Sequence, residues 1–273
     1  MADTLQLNSL SCRHRRLQQL LHNLAPLAVA FSGGVDSSLL LKVAHETLGE
    51  RCIAVTCDAP YHFRKELADA ARFTQQLGIQ HLVIPFDPAT IPDLLTNPPD
   101  RCYLCKKALL SLCRASLTAV SLPLAPCPWA LIDGSTLDDQ TLHRPGRRAL
   151  QELGIRSPLA EAGFSKQDVR CLSRELGLPG WDKPAQSCLL TRFPHDYQVT
   201  ETEQQRVEQC EEKLQGLGFN VVRVRSLGTT ARVECEAGKQ VHPLLPKIER
   251  ICRQAGFTTV ELDPAGYRCG SMD

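Results

Sequence analysis

The chain has 273 residues, with 31 Lys and Arg against 30 Asp and Glu, for a formal charge of +1. That length allows one large domain or two modest ones, and a 43% hydrophobic content supports an ordinary core. The balanced charge supplies no whole-molecule field for nucleic acid, and no window approaches the roughly 20 apolar residues that cross a bilayer.

The opening MADTLQLNSLSCRHRRLQQLLHNL carries basic residues but no long apolar run, so no signal peptide and a cytoplasmic location are expected. Thirteen cysteines, odd in number and scattered through helix-like and strand-like stretches, do not resemble a secreted disulfide framework. Cys52 and Cys57 sit in an apolar strand-like run and Cys171 in a helix, where a thiol is a small core residue.

In chain order, residues 13–24 read as a helix, with Leu17, Leu20, Leu21 and Leu24 at helical spacing. LAPLAVAFSGG is a buried strand entering a glycine turn, and SSLLLKVAHETLG is the next helix. RCIAVTCDAP, FRKELADAARFTQQLG and QHLVIPFD repeat the strand–helix–strand order. CKKALLSLCRASL adds a helix and WALIDGS a further strand. Short apolar strands alternating with helices predict an α/β fold, a parallel sheet flanked by helices.

Between residues 133 and 195 one clear helix is expected, started by a Ser165–Asp168 capping box and ended by Gly177 and Pro179. From about residue 198 the pattern is helix, a strand pair hinged at Gly228, a helix over 240–255, and the strand TTVELD. The expected division is therefore a nucleotide-type domain over 1–197 and a small C-terminal α+β domain over 198–273.

The strongest local signal is Ser32-Gly33-Gly34-Val35-Asp36-Ser37-Ser38 between a strand and a helix. Adjacent glycines allow a tight turn, and the helix start adds N–H groups and a positive dipole end. Ser37 and Ser38 add hydroxyls, making a pyrophosphate cradle that lacks the ending of a Walker loop. Lys106, Arg144 and Lys183 are candidate cations for the phosphate charge, each equally compatible with a solvated surface position. DGSTLDDQ follows a strand directly, so Asp133, Asp138 and Asp139 are candidates for Mg²⁺ or nucleotide hydroxyls, or for an Asx-rich turn.

Cysteines in polar, Pro- or Gly-marked context stand apart. Cys102 and Cys105 form a CxxC pair at a helix start in NPPDRCYLCKKALL, and Cys188 lies in WDKPAQSCLLTR. A helix start with Arg101 and Lys106 nearby favours thiolates, which serve sulfur transfer, metal or cluster binding, or a redox pair. Buried, inert thiols remain open on the spacing alone. Cys127, in a Pro-rich run, is a candidate fourth zinc ligand.

SGGVDSS resembles the signature of the PP-loop ATP pyrophosphatases, which cleave ATP between its α and β phosphates. With NPPDRCYLCKKALL, DGSTLDDQTLHRPGRRALQELGIRSPL and WDKPAQSCLLTRFP it resembles the LarE family over most of residues 26–196. The resemblance implies a PP-loop, adenine nucleotide alpha hydrolase-like fold, cofactors ATP and Mg²⁺ with Asp36 near the metal and pyrophosphate, and a homo-oligomer. It implies adenylation of pyridinium-3,5-biscarboxylic acid mononucleotide and conversion of its carboxylates to thiocarboxylates, a step towards the nickel-pincer nucleotide.

Two mechanisms occur in that family. In one, the cysteine matching Cys188 gives up its own sulfur and becomes dehydroalanine. In the other, which the Cys102–Cys105 pair resembles more, three cysteines hold a [4Fe–4S] cluster carrying a transferable sulfide. The cluster reading, on Cys102, Cys105 and Cys188, is the one expected here; the sulfide donor is unassigned.

In NVVRVRSLG, Arg223 and Arg225 share one strand face and Val222 and Val224 the other. The arginine pair is expected to grip the substrate phosphate, with Glu234 on the next strand orienting an arginine, or else to lie on a solvated strand face. Rival readings are a PP-loop tRNA thiolation enzyme, an amide-forming ligase, and a non-enzymatic zinc-binding interaction protein. No nucleic acid and no membrane partner are expected.

Overall fold

The computed structural model describes residues 2–118, 128–141, 145–236 and 241–268. Arg144 and Cys127 lie outside these residues. Two compact units emerge: residues 1–59, 64–86 and 102–183 form the first, and 60–63, 87–101 and 184–273 the second. The segment 198–273 falls wholly within the second unit, together with residues 184–197.

In the first unit the order is α1 (Ala2–Leu24), β1 (Leu27–Ala30), α2 (Val35–Leu48), β2 (Cys52–Asp58), α3 (Arg64–Leu77), β3 (His81–Pro85), α4 (Arg101–Leu117) and β4 (Ala130–Ile132). Then come α5 (Asp138–Thr141), α6 (Pro145–Glu152), α7 (Pro158–Ala162) and α8 (Lys166–Glu175). The strands form one parallel sheet in the order β3-β2-β1-β4.

Side chains alternate across each strand and sort the helices. Leu27 and Val29 of β1 and Cys52 and Ala54 of β2 enter a core with Leu17 and Leu21 of α1, Leu40 and Val43 of α2, and Val169 and Leu172 of α8. Cys57 of β2 instead meets α4, its Sγ lying 3.4 Å from Cys113 Sγ. The buried thiols read from the sequence as strand residues are therefore split between the two faces of the sheet.

Residues 133–195 hold more helix than one capped segment: α5, α6 and α7 precede α8. Each is 4 to 8 residues long, too short to display a helical period in sequence. The capping box of α8 forms as read, with Asp168 N donating to Ser165 Oγ at 3.1 Å and Ser165 N to Asp168 Oδ2 at 2.9 Å.

The second unit runs α9 (Glu201–Gln215), β5 (Val222–Leu227), β6 (Thr230–Cys235), α10 (Leu245–Gln254) and β7 (Thr259–Leu262). β5 and β6 are an antiparallel hairpin turning at Gly228, and β7 adds parallel to β6. The helix read over 240–255 is shorter: His242–Leu244 is a 3-10 turn, and the α-helix starts at Leu245 with Pro246 in its first turn. Pro lacks an N–H and is tolerated there, where no intrahelical partner exists.

Candidate functional site

In the strand order β3-β2-β1-β4, the chain leaves β1 towards β2 on one side while β4 joins on the other. The crevice beyond the carboxyl ends of β1 and β4 is thus a topological switch point, where parallel sheets bind ligands. SGGVDSS leaves β1 there and DGSTLDDQ leaves β4.

The glycine loop is tightly built. Gly33 has φ +75, and a Cβ on it would sit 3.2 Å from Ala70 Cβ and 3.3 Å from the Glu66 carbonyl of α3. Gly34 is the N-cap of α2. Gly34 N lies 3.3 Å from Ser32 Oγ, and Ser37 Oγ donates to Gly34 O at 3.1 Å. Ser37 and Ser38 are buried in the first turn, so the loop is internally braced with the dipole end of α2 above it.

Gly134, after β4, closes the crevice from the other side. A Cβ there would stand 3.0 Å from Ser37 N and 3.1 Å from Ser37 Cα. The two motif loops therefore touch backbone to backbone, which only glycine permits.

Asp133 acts as a hub. Its Oδ2 accepts from Lys106 Nζ at 3.0 Å and Ser135 Oγ at 2.7 Å, and its Oδ1 from Ser157 Oγ at 2.5 Å. Lys106 is thereby drawn from α4 to the end of β4. Asp138 Oδ2 accepts from Lys166 N at 2.5 Å, and Asp139 Oδ2 from Thr136 N at 2.9 Å. Asp139 thus braces its own turn, while Asp138 reaches 28 residues along the chain to the start of α8.

Lys166 is a residue the sequence reading passed over. Its ammonium pairs with Asp36 Oδ2 at 3.1 Å and lies 3.5 Å from Asp139 Oδ1. Burial pushes the Asp36 pKa above the usual carboxylate value, Lys166 pulls it down, and Asp139 adds to the rise. Lys183, by contrast, is tied to α3, 3.1 Å from Glu66 Oε1 and 3.6 Å from Asp69 Oδ2.

The CxxC pair occupies the first turn of α4, three residues apart and hence on one face; Cys102 is exposed and Cys105 half-buried. α6 packs closely here, since a Cβ on Gly146 would meet Lys106 Cδ at 3.1 Å and the Cys102 carbonyl at 3.4 Å. Tyr103, between the two cysteines, donates to Glu152 Oε2 at 2.7 Å and so ties this turn to the end of α6.

In the second unit, half-buried Cys188 is the N-cap of a 3-10 turn, Leu189–Arg192. Arg192 is fully buried and bidentate to equally buried Glu211, with Nε–Oε1 at 2.8 Å and Nη2–Oε2 at 3.0 Å. Its Nη1 reaches Ser187 Oγ at 2.7 Å.

Arg223 and Arg225 do not lie on an open strand face; both are buried. Arg225 is bidentate to Glu234, at 2.9 and 2.7 Å, which gives Glu234 the orienting contact read from the sequence. Arg223 bonds only carbonyls, Val222 O at 2.9 Å and Ala185 O at 3.1 Å, and its Nε has no hydrogen-bond partner among the described residues. Burial first, and Arg192 next, push its pKa below the ordinary arginine value. Among the described residues, Arg192 pairs with Glu211 and Arg225 with Glu234, while Arg223 is held by backbone carbonyls.

Among the described residues, no group of three or more His, Cys, Asp or Glu side chains gathers to hold a metal ion. Asp36 and Asp139, brought together by Lys166, suit the one or two carboxylates by which protein holds Mg²⁺ alongside phosphate oxygens.

The asparagine synthase family model matches residues 17–105, which contain the glycine loop. An uncharacterised protein of Synechocystis sp. is 39% identical over 97% of this chain and 98% of its own length. An uncharacterised protein of Methanocaldococcus jannaschii is 30% identical over 77% of each chain. Pyridinium-3,5-bisthiocarboxylic acid mononucleotide synthase of Lactiplantibacillus plantarum is 35% identical over 97% of this chain and 95% of its own. Identity that runs through both units and leaves little of either chain unmatched exceeds a shared fold, and this chain belongs to the LarE family of ATP-using PP-loop enzymes.

Proposed function

We propose that this chain adenylates the carboxylates of pyridinium-3,5-biscarboxylic acid mononucleotide and converts them to thiocarboxylates. The observation that carries the reading is full-length identity to a synthase named for the bisthiocarboxylic acid mononucleotide.

The carboxylate attacks the α-phosphorus of ATP and the bond to the β-phosphate breaks, giving an acyl-adenylate and pyrophosphate. Residues Ser32–Ser38 receive the pyrophosphate on backbone N–H groups and hydroxyls, while Lys106 and Lys166 contribute positive charge. Asp36 and Asp139 would hold Mg²⁺, which would supply neutralisation of the phosphate charge. Asp133 positions Lys106, and Asp138 fixes the start of α8. A sulfide then attacks the acyl carbon and AMP leaves, giving the thiocarboxylate; where the Cys188 thiolate attacks instead, its Cβ–Sγ bond then breaks with loss of the Cα proton, freeing the thiocarboxylate and leaving dehydroalanine.

Arg223 supplies the phosphate contact for the substrate, because a buried cation with no carboxylate partner among the described residues is stabilised by an arriving anion. Arg225 and Glu234 form the rigid wall beside it. The substrate is thus a small phosphorylated anion, and the second unit is the substrate-binding unit.

Cys188 is the proposed sulfur residue, with Cys102 and Cys105 as the second thiol pair. A [4Fe–4S] cluster on all three follows from the likeness to the cluster branch of the family. Bound to those thiolates, such a cluster would supply a transferable sulfide. Mass spectrometry of the small molecule and the chain after turnover tests the proposal. Thiocarboxylate with an unchanged chain over repeated turnovers supports a renewable sulfur carrier, and a chain lighter by one hydrogen sulfide supports sacrifice of Cys188. Absence of thiocarboxylate with ATP, substrate and sulfide supplied anaerobically overturns the function itself.

A further inference from the structure

Asn97 occupies the end of the short turn Leu94–Thr96 with its backbone in the left-handed region, φ 56 and ψ 51, and its side chain is fully buried. Its Nδ2 lies 3.2 Å from Leu190 O, 3.0 Å from Phe193 O and 2.8 Å from Pro194 O. The Asn97 carbonyl in turn accepts from Asp196 N at 3.3 Å. One side chain therefore gathers the carbonyls at the exit of the 3-10 turn whose N-cap is Cys188.

The entry of that turn is held separately. Leu189 N donates to Tyr61 O at 2.9 Å, and Thr191 Oγ1 donates to Cys188 O at 2.8 Å. Arg101 Nη1 lies 2.8 Å from His195 Nδ1, extending the same stitch beyond the exit. With both ends pinned, the Cys188 thiol has its backbone fixed at the mouth of the turn.

Two costs are accepted at Asn97. A non-glycine residue is placed in the left-handed region, and its Oδ1 is buried with no hydrogen-bond partner among the described residues. Asn tolerates that backbone and brings two amide hydrogens; Gly offers the first property alone, and Asp lacks the donors. Such strain is retained where the surroundings over-determine the geometry.

We propose that Asn97 is a positioning residue for sulfur transfer, setting the orientation of Cys188 through the exit of its turn. The inference rests on the reading that Cys188 handles the sulfur. Its test uses the full-length chain with Asn97→Asp and with Asn97→Gly, the latter keeping the backbone conformation while removing the donors. Three quantities are measured: ATP–pyrophosphate exchange in the presence of substrate, thiocarboxylate formation, and the iodoacetamide alkylation rate of Cys188 relative to Cys171 by peptide mass spectrometry.

In both variants thiocarboxylate formation falls roughly tenfold to a hundredfold, the cost expected of a misplaced reacting group. Exchange and the KM for ATP stay within about twofold, and the Cys188-to-Cys171 alkylation ratio shifts about fivefold. Unchanged alkylation and transfer, or exchange lost in step with transfer in both variants, overturns the positioning role. A Cys188→Ser chain run in parallel separates the two claims: full, repeated thiocarboxylate formation by that variant removes the sulfur role of Cys188, while the alkylation ratio still reports what Asn97 does to its turn.

Discussion

Lys166 Nζ stands 3.1 Å from Asp36 Oδ2, joining the first turn of α8 to the glycine loop at the start of α2. The two residues are 130 positions apart in the chain. The pairing gives a partly buried carboxylate a cation, and it places a positive charge where phosphate oxygens are expected.

Replacing that cation has a definite sign. Lys166 is the chief influence lowering the Asp36 pKa, and burial and Asp139 raise it. In Lys166→Met the Asp36 pKa climbs further, so the acid limb of the exchange–pH profile moves to higher pH. Exchange at neutral pH falls by about one to two orders of magnitude as the phosphate loses a cation. An unshifted acid limb separates Asp36 from the profile.

Asp36→Asn separates stability from activity. A carboxyl whose folded pKa is raised stabilises the fold at low pH and loses that contribution as pH rises from its ordinary 3.8 to the raised value. At neutral pH the ionised form is a burden, so the Asn variant unfolds at the same temperature or about 1–4 °C higher. Exchange activity is lost. Calorimetry at pH 7.5 without nucleotide checks the first outcome, and a marked drop in Tm counts against it.

Gly134→Ala tests the contact between the two motif loops. The new methyl lands 3.0 Å from Ser37 N, against backbone that has no flexible end to yield. The cost is about 1–3 kcal/mol, the usual scale of overpacking, with weakened ATP binding. Chemical denaturation and the KM for ATP in exchange measure both.

The buried arginines of the second unit divide in their response. Arg225→Ala leaves Glu234 buried without its bidentate partner and costs about 3–5 kcal/mol. Arg223→Met removes a cation held, among the described residues, by carbonyls and by no carboxylate; stability stays within about 1 kcal/mol while the KM for the phosphorylated substrate rises. Equal destabilisation by the two variants defeats the assignment of Arg223 as the anion-seeking member.

The α/β order, the loop between β1 and α2, the α8 capping box and the β5–β6 hairpin were all legible in the sequence. Each is encoded within a few neighbouring residues: a glycine pair, a Ser–Asp spacing, an alternation of valines. The short helices α5–α7 were not, because none is long enough to show a period.

The sequence by itself determined that a phosphate-cradling loop follows the first strand and that Cys102, Cys105 and Cys188 sit in unusual context. Only the tertiary structure decided that Gly134 abuts Ser37, that Lys166 serves Asp36, that Arg223 is held by carbonyls while Arg192 and Arg225 pair with carboxylates, and that Asn97 holds the turn of Cys188. These are contacts between residues tens of positions apart. Side-chain type limits which partners a residue can accept, but the strand order and the packing of loops around it choose among them.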